Sequence, residues 1–255
     1  MIADGTRVEA RGVSTPALPA GPETGPETEA VTEAVIALAG ATVELRPSGA
    51  LFWPERSLLC IGDLHLGRAE RLAREGGDLL PPYKSIDTLD RLEAEIAALA
   101  PRLVVCLGDS FDDLAADRNL SEEVATRIGR LAAGRRWTWI AGNHDPGPLE
   151  APGTYLAELR LGLLSFRHIA LPRLAPGGGE VSAHFHPRAR LTRRGARITR
   201  RCFLADGCRV ILPAFGAATG GLDARDPAFD ALLGPETRAF LLGPRVTAVA
   251  RDHLG

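Results

Sequence analysis

Histidine is scarce in this chain, with six in 255 residues. Five of them fall in one ordered series of short motifs. The series runs Asp63-Leu64-His65, Gly108-Asp109, Gly142-Asn143-His144-Asp145, His168 and His184-Phe185-His186. Neutral imidazole together with carboxylate suits Zn, Mn and Fe, and an Asp between two such groups can bridge a pair of ions. One residue separates Asp63 from His65, so an extended segment would aim both side chains at one site. His184 and His186 share that spacing and are expected on one face of an extended strand. Asn143 offers a carbonyl oxygen to a metal without adding charge. Taken singly, a residue such as His168 reads as a packing histidine; the ordered set reads as a metal centre. His253 stands outside the set and is expected to be inert.

Each motif follows a short apolar run that can position it. Ser57–Ile61 precedes Gly62-Asp63, Leu103–Leu107 precedes Gly108-Asp109, Trp137–Ile140 precedes Gly142-Asn143, and Leu163–Phe166 precedes His168. Runs of this length, rich in branched and aromatic residues, read as buried strands. Between the first two, Ile86, Leu89, Leu92, Ile96 and Leu99 recur at helical spacing and Pro101 is the stop, predicting a helix over 83–99. Residues 120–131 repeat the pattern. Strand-helix-strand-helix-strand implies a layered α/β core whose ligands emerge from the carboxyl ends of neighbouring strands. Farther on, residues 197–204 and 209–215 flank Asp206-Gly207 and suggest an antiparallel hairpin in a second sheet.

Composition sets bounds without choosing a function. The 255 residues suffice for one large domain, and 45% hydrophobic with 24% charged is ordinary for a soluble protein. A formal charge of −2 gives no global pull toward nucleic acid or membrane. No apolar run reaches membrane-spanning length, and the first residues lack the apolar core of a signal peptide, so a cytoplasmic setting is expected. Cys60 and Cys106 lie in apolar runs and read as small buried hydrophobes. Cys202 and Cys208 lack zinc spacing, and the cytoplasm disfavours a disulfide between them. Residues 1–40, punctuated by Pro16, Pro19, Pro22 and Pro26, read as a disordered extension, with Glu29 to Leu38 as a short helix leading into a domain over 41–255.

The series D-x-H, G-D, G-N-H-D, H, H-x-H resembles the calcineurin-like metallophosphoesterases. That resemblance implies a four-layer sandwich of two mixed β-sheets flanked by helices. It assigns Asp63, His65, Asp109 and His186 to a first divalent metal and Asp109, Asn143, His168 and His184 to a second. Mn is the expected ion, with Zn or Fe as alternatives. A hydroxide activated by the two metals would attack phosphorus, His144 would protonate the leaving group, and Asp145 would orient the His144 ring. Asp112 and Asp113 admit two readings, as groups holding His65 or its loop, or as plain loop carboxylates. One departure is Ala183, where the family usually has Gly; either the backbone is ordinary there or the loop shifts.

Further stretches resemble a narrower group, the bacterial ligase-associated DNA damage response metallophosphoesterases. They are Leu51-Phe52-Trp53-Pro54, the run from Gly62 to Arg68, Gly108-Asp109-Ser110-Phe111, His186-Pro187, Leu212 to Gly216, and Gly220-Gly221-Leu222. The implied substrate is a phosphodiester on DNA ends or in nucleotides. The implied partners are an ATP-dependent DNA ligase and a helicase, with no membrane. Independently, Arg188, Arg190, Arg193, Arg194, Arg197, Arg200 and Arg201 crowd the segment after His186, where guanidinium groups could seat a nucleic-acid backbone or merely line a solvated hairpin. Alternatives are a small-nucleotide or protein phosphoesterase, or a metal-binding scaffold without catalysis.

Overall fold

In the computed structural model, residues 32–76, 83–193, 196–217 and 219–254 are described. The N-terminal half builds one sheet in sequence order. Its strands are β1 (Ala34–Leu38), β2 (Ala41–Leu45), β3 (Leu51–Trp53), β4 (Leu58–Ile61), β5 (Leu103–Leu107), β6 (Arg136–Ile140) and β7 (Thr154–Leu156). Pairings are antiparallel from β1 to β4 and parallel from β4 to β7. The parallel crossovers carry α1 (Arg68–Arg74), α2 (Lys84–Leu99) and α3 (Glu122–Ala132). Helix α3 starts at Ser121, whose hydroxyl accepts from the Val124 N–H at 3.3 Å, and α2 stops where Ala100 turns left-handed before Pro101.

The second sheet follows from β8 (Leu159–Leu161), β9 (Leu164–Phe166), β10 (Gly179–Ser182), β11 (Arg188–Arg193), β12 (Ala196–Ala205), β13 (Arg209–Ile211), β14 (Arg238–Leu241) and β15 (Thr247–Ala250). Its order is β15-β14-β12-β13-β10-β9-β8, with β11 paired to β12. Here β9, β10 and β13 are parallel and the other pairings antiparallel, so this sheet is mixed too. The expected hairpin around Asp206-Gly207 is β12–β13. Cys202 is buried there, Cys208 is exposed, and all four cysteines are free.

Period-two alternation explains the layering. Leu103, Val105 and Leu107 of β5 face the second sheet, while Val104 and Cys106 face the helices. Both faces are buried, which is why the strand reads as an unbroken apolar run. Leu89, Leu92 and Ile96 of α2 and Val124, Ile128 and Leu131 of α3 cover the outer face. On the second sheet, Phe203 and Ala205 point inward. Cys202 and Leu204 point outward against Phe229, Leu233 and Leu254. That outer layer is thin, made of loops and the 3-10 turns Pro227–Phe229 and Arg251–His253. The expected sandwich of two mixed sheets is the fold. Among the described residues, no helix is long and apolar enough to cross a membrane.

The expected boundary at residue 41 is corrected. Residues 34–38 are strand β1, where a lead-in helix was expected, and they pair in register with β2. Ala34, Ile36 and Leu38 pack on the inter-sheet core while Val35 and Ala37 are exposed, a period of two rather than 3.6. Residues 1–31 lie outside the described residues.

The two sheets are in close contact where β4 and β10 end. A Cβ at Gly62 would sit 2.5 Å from the Ala183 Cβ, so the Ala183 methyl occupies the space that Gly62 leaves. Ala183 is fully buried and its φ is not positive, so of the two readings of this departure the ordinary backbone holds. Gly62→Ala is therefore expected to cost about 1–3 kcal/mol by overpacking, measured by urea unfolding. Adding Ala183→Gly should recover most of that loss. A stable single variant would show the junction to be slack.

Candidate metal centre

The histidine motifs begin where their strands end. Strand β4 stops at Ile61 and β10 at Ser182, so neither Asp63/His65 nor His184/His186 sits on an extended segment, as spacing had suggested. Instead Asp63 (φ 55°), His65 (φ 46°), Asp109 (φ 45°), His184 (φ 71°) and His186 (φ 49°) are all left-handed. Each such residue costs on the order of 1–2 kcal/mol and persists only if its surroundings over-determine it. Here they do. The Asp63 N–H donates to the Gly108 carbonyl at 3.3 Å and the His65 N–H to the Asp109 carbonyl at 2.9 Å. The His184 N–H reaches the Asp63 carboxylate at 3.0 Å. Gly108 (φ 71°) has no room for a side chain, because a Cβ would lie 2.6 Å from the His168 ring.

These turns gather two groups of ligands. Asp63, His65 and His186 form one, and Asp109, His168 and His184 form the other, each with its ligand atoms within 4.8 Å of one another. His186 Nε2 lies 3.2 Å from Asp63 Oδ1. His168 Nε2 lies 3.3 Å from Asp109 Oδ2, 2.9 Å from Asn143 Oδ1 and 3.2 Å from His184 Nδ1. Thus all seven residues expected as ligands come together. Asp63, His65, Asp109 and His168 are buried.

The tautomers make this a place for cations. His168 Nδ1 is 2.8 Å from the Leu107 carbonyl, which can only accept, so that nitrogen carries the proton and Nε2 presents a lone pair. That lone pair faces the oxygens of Asp109 and Asn143 and the His184 ring nitrogen. His65 Nδ1 likewise donates to Asp112 Oδ1 at 2.8 Å, leaving Nε2 bare. The Nε2 atoms of both His65 and His186 are buried with no hydrogen-bond partner among the described residues. Lone pairs turned on one another inside a protein need a proton or a metal between them. The donor set of imidazole, carboxylate and one amide oxygen fits divalent Mn, Zn or Fe.

The carboxylates and imidazoles perturb one another's protonation. Burial would raise the Asp109 carboxyl, but the His168 contact and charge, the His144 N–H and His65 outweigh it and hold the group well below the usual carboxylate range. Burial would lower His168, yet Asp109, Asp63 and the Leu107 carbonyl raise it. His184 is lowered by burial and by the neighbouring His168 charge.

Asp145 does not orient His144. Its buried carboxylate accepts backbone N–H groups from Asp109 (2.9 Å), Ser110 (2.8 Å), Phe111 (3.1 Å) and Gly142 (3.0 Å), tying two ligand loops together. Burial, with the Asp109 charge, raises it to about 6 despite those bonds. The His144 ring is held instead by the Asp112 carbonyl, 3.0 Å from Nδ1. Asp112 and Asp113 separate cleanly: Asp112 is buried against His65 and the Arg71 guanidinium at 2.6 Å, whereas Asp113 pairs with Arg74 at 2.8 Å. Of the two readings left open, Asp112 is the group that holds His65 and Asp113 a loop carboxylate. His253 is exposed in the last 3-10 turn and joins no ligand group.

Two sheets with ligands at their ends define a metallophosphoesterase fold. Residues 56–192 match the calcineurin-like phosphoesterase family, and the chain belongs to that family of phosphoric-ester hydrolases. The fold is similar to the crystal structure of Pseudomonas putida nuclease MPE, with 24% identity and a TM-score of 0.65, over 86% of this chain and 100% of that one. Yfce, a phosphoesterase from E. coli, aligns at 17% identity and a TM-score of 0.38, over 76% of this chain and 98% of that one. No curated protein sequence matches the chain.

Two outcomes follow from the geometry. Asp109→Ala should lose metal from the group it forms with His168 and His184, which has no other carboxylate; elemental analysis of a folded variant that keeps all its metal would remove Asp109 from the ligands. Asp112→Asn should weaken metal affinity by about 10–100-fold, since the His65 ring loses its charged anchor. A competitive chelator titration measures this, and unchanged affinity would make Asp112 a structural carboxylate only.

Proposed function

We propose that the chain is a dinuclear phosphodiesterase acting on DNA ends or nucleotide diesters. The supporting observation is the convergence of bare imidazole nitrogens on Asp63 and Asp109, with His144 at the open edge. Asp63, His65, Asp109 and His186 would hold one ion, and Asp109, Asn143, His168 and His184 the other, with Mn favoured over Zn or Fe. Two divalent ions about 3.5–4 Å apart polarise a phosphoryl oxygen and lower the pKa of a shared water.

His144 does different work. Its side chain is 40% exposed, unlike the buried His65 and His168 rings, and its Nε2 stands 4.0 Å from Asp109 Oδ2. The Nδ1 proton is committed to the Asp112 carbonyl, so the ring is fixed with Nε2 toward Asp109. As a general acid the ring would act in its imidazolium form, its Nε2 proton passing to the departing oxygen. Alkoxide leaving groups need that proton and phenolates hardly do.

The choice of DNA rests on the subgroup motifs from Gly62 to Arg68 and from Leu212 to Gly216. The structurally similar P. putida protein is described as a nuclease. Association with an ATP-dependent ligase and a helicase rests on those motifs alone.

His144→Asn tests the reading with Mn²⁺ supplied. Both metals should remain, and turnover of an alkyl or DNA diester should fall by about 10²–10⁴-fold. An aryl diester should lose much less. Equal losses on both would assign His144 to the metal site or to binding. Wild-type protein carrying two metals yet inert toward every monoester and diester would favour the scaffold.

A further inference from the structure

The arginine-rich segment does not behave as one patch. Exposure ends partway along β12: Arg197 to Arg200 are exposed, as is Arg190 on β11, while Arg201 and its cross-strand partner Arg188 are half-buried. Arg194 and the Arg193 side chain lie outside the described residues. Arg188 and Arg201 meet a third arginine, Arg91 of α2, in a cavity of about 540 Å³ completed by Asp87, Asp90, Gly216, Ala217 and Thr219.

This cavity is joined to the metal centre through the chain. The Gly216 N–H donates to the Asp63 carbonyl at 2.9 Å, and the Phe215 N–H to the Gly62 carbonyl at 2.9 Å. Arg201 Nη1 donates to the Ala214 carbonyl at 2.8 Å, and Arg91 Nη2 donates to the Phe215 carbonyl. Arg188 follows His186 by two residues.

The three guanidinium groups are under-compensated. No carboxylate is within ion-pair distance of Arg91 or Arg201 among the ion pairs described. The two acids on the wall are engaged elsewhere, Asp87 with Lys84 at 3.8 Å and Asp90 with Arg127 at 2.5 Å. Arg91 Nη1 and Arg188 Nε are buried and lack hydrogen-bond partners among the described residues. Burial and the Arg201 charge pull Arg91 down to about 10, and burial with the Arg188 charge lowers Arg201. Gathered like charges with spare donors call for an anion, and guanidinium forks match a phosphate by paired charge-assisted bonds.

We propose that Arg91, Arg188 and Arg201 form a second phosphate site, which takes the phosphate neighbouring the scissile one. This rests on the phosphodiesterase reading and narrows it: the preferred substrate carries at least two phosphates, as a nucleic-acid strand does and a lone diester does not. The exposed Arg190, Arg197 and Arg200 have no part in that preference.

Thymidine p-nitrophenyl diesters test this, because the leaving group stays constant while one phosphate is added. Thymidine 5′-(p-nitrophenyl phosphate) is compared with and without a 3′-phosphate. The 3′-(p-nitrophenyl phosphate) is compared with and without a 5′-phosphate, which covers both polarities. Wild-type protein with Mn²⁺ should favour one of the bisphosphates in kcat/KM by at least about tenfold, the effect of one charge-assisted hydrogen bond. Arg188→Gln and Arg201→Gln should bring that ratio close to one, mainly through KM. Arg201→Lys should retain part of it, and Arg200→Gln all of it. Arg188→Gln is the variant least tied to the fold, since the Arg188 Nε has no bond to lose. Inorganic phosphate should also raise the Tm of chelator-treated full chain, and less so after Arg188→Gln. Equal kcat/KM for each pair in wild type would overturn the proposal, whether or not free phosphate binds. Activity toward neither member of any pair would instead overturn the phosphodiesterase reading beneath it.

Discussion

Four carboxylates buried at one end of the sandwich set the terms for the surrounding structure. Asp63, Asp112 and Asp145 are fully buried and Asp109 is 2% exposed. An ion taken out of water costs several kcal/mol unless its lone pairs are met. Each carboxylate solves this differently. Asp145 collects four backbone N–H groups, and Asp112 takes His65 and Arg71. Asp63 takes the His184 N–H and stands by His186; Asp109 takes the His144 N–H and stands by His168. The first two are satisfied by the protein. The latter two are left facing bare imidazole nitrogens, which is where cations belong.

That division of labour explains the backbone. Five candidate ligands in left-handed conformation make a costly set of turns, where strands would only have set each i, i+2 pair on one face of a sheet. The cross-ties through Asp145 and Asp63 hold those turns, so a structural carboxylate and a ligand carboxylate together shape the loops. The candidate ligands and the loops that carry them are thus held by the same hydrogen bonds.

The arginines follow the same logic with the sign reversed. On a hairpin, neighbouring residues face opposite ways, so Arg200 meets solvent while Arg201 turns into the molecule. There it meets Arg188 and an arginine from α2. Three half-buried guanidinium groups, none in an ion pair among those described, gather a short stretch of chain from the buried carboxylates. A phosphodiester strand could pair with those guanidinium groups.

Much was legible in the sequence because it depends on local pattern. The runs Leu103–Leu107 and Trp137–Ile140, the helical spacing from Ile86 to Leu99, and the turn at Asp206-Gly207 are short-range signals, and each is close to the element observed. The residues that the fold gathers into the candidate site were legible because histidine is rare and its motifs are ordered. What the sequence could not decide were directions and partners across long separations. Strand β1 looked like a lead-in because its pairing with β2 and its place on the inter-sheet core emerge only once the sheets pack. Asp145 sits beside His144 in sequence, yet three of the four N–H groups on its carboxylate come from 34 to 36 positions away, and His144 is held from 32 positions away. Arg91 carried no signal at all, for its meeting with Arg188 and Arg201 is made by α2 packing beside the 214–216 segment. Residue type and local spacing are properties of the chain; which lone pair faces which proton is settled only when the two sheets close.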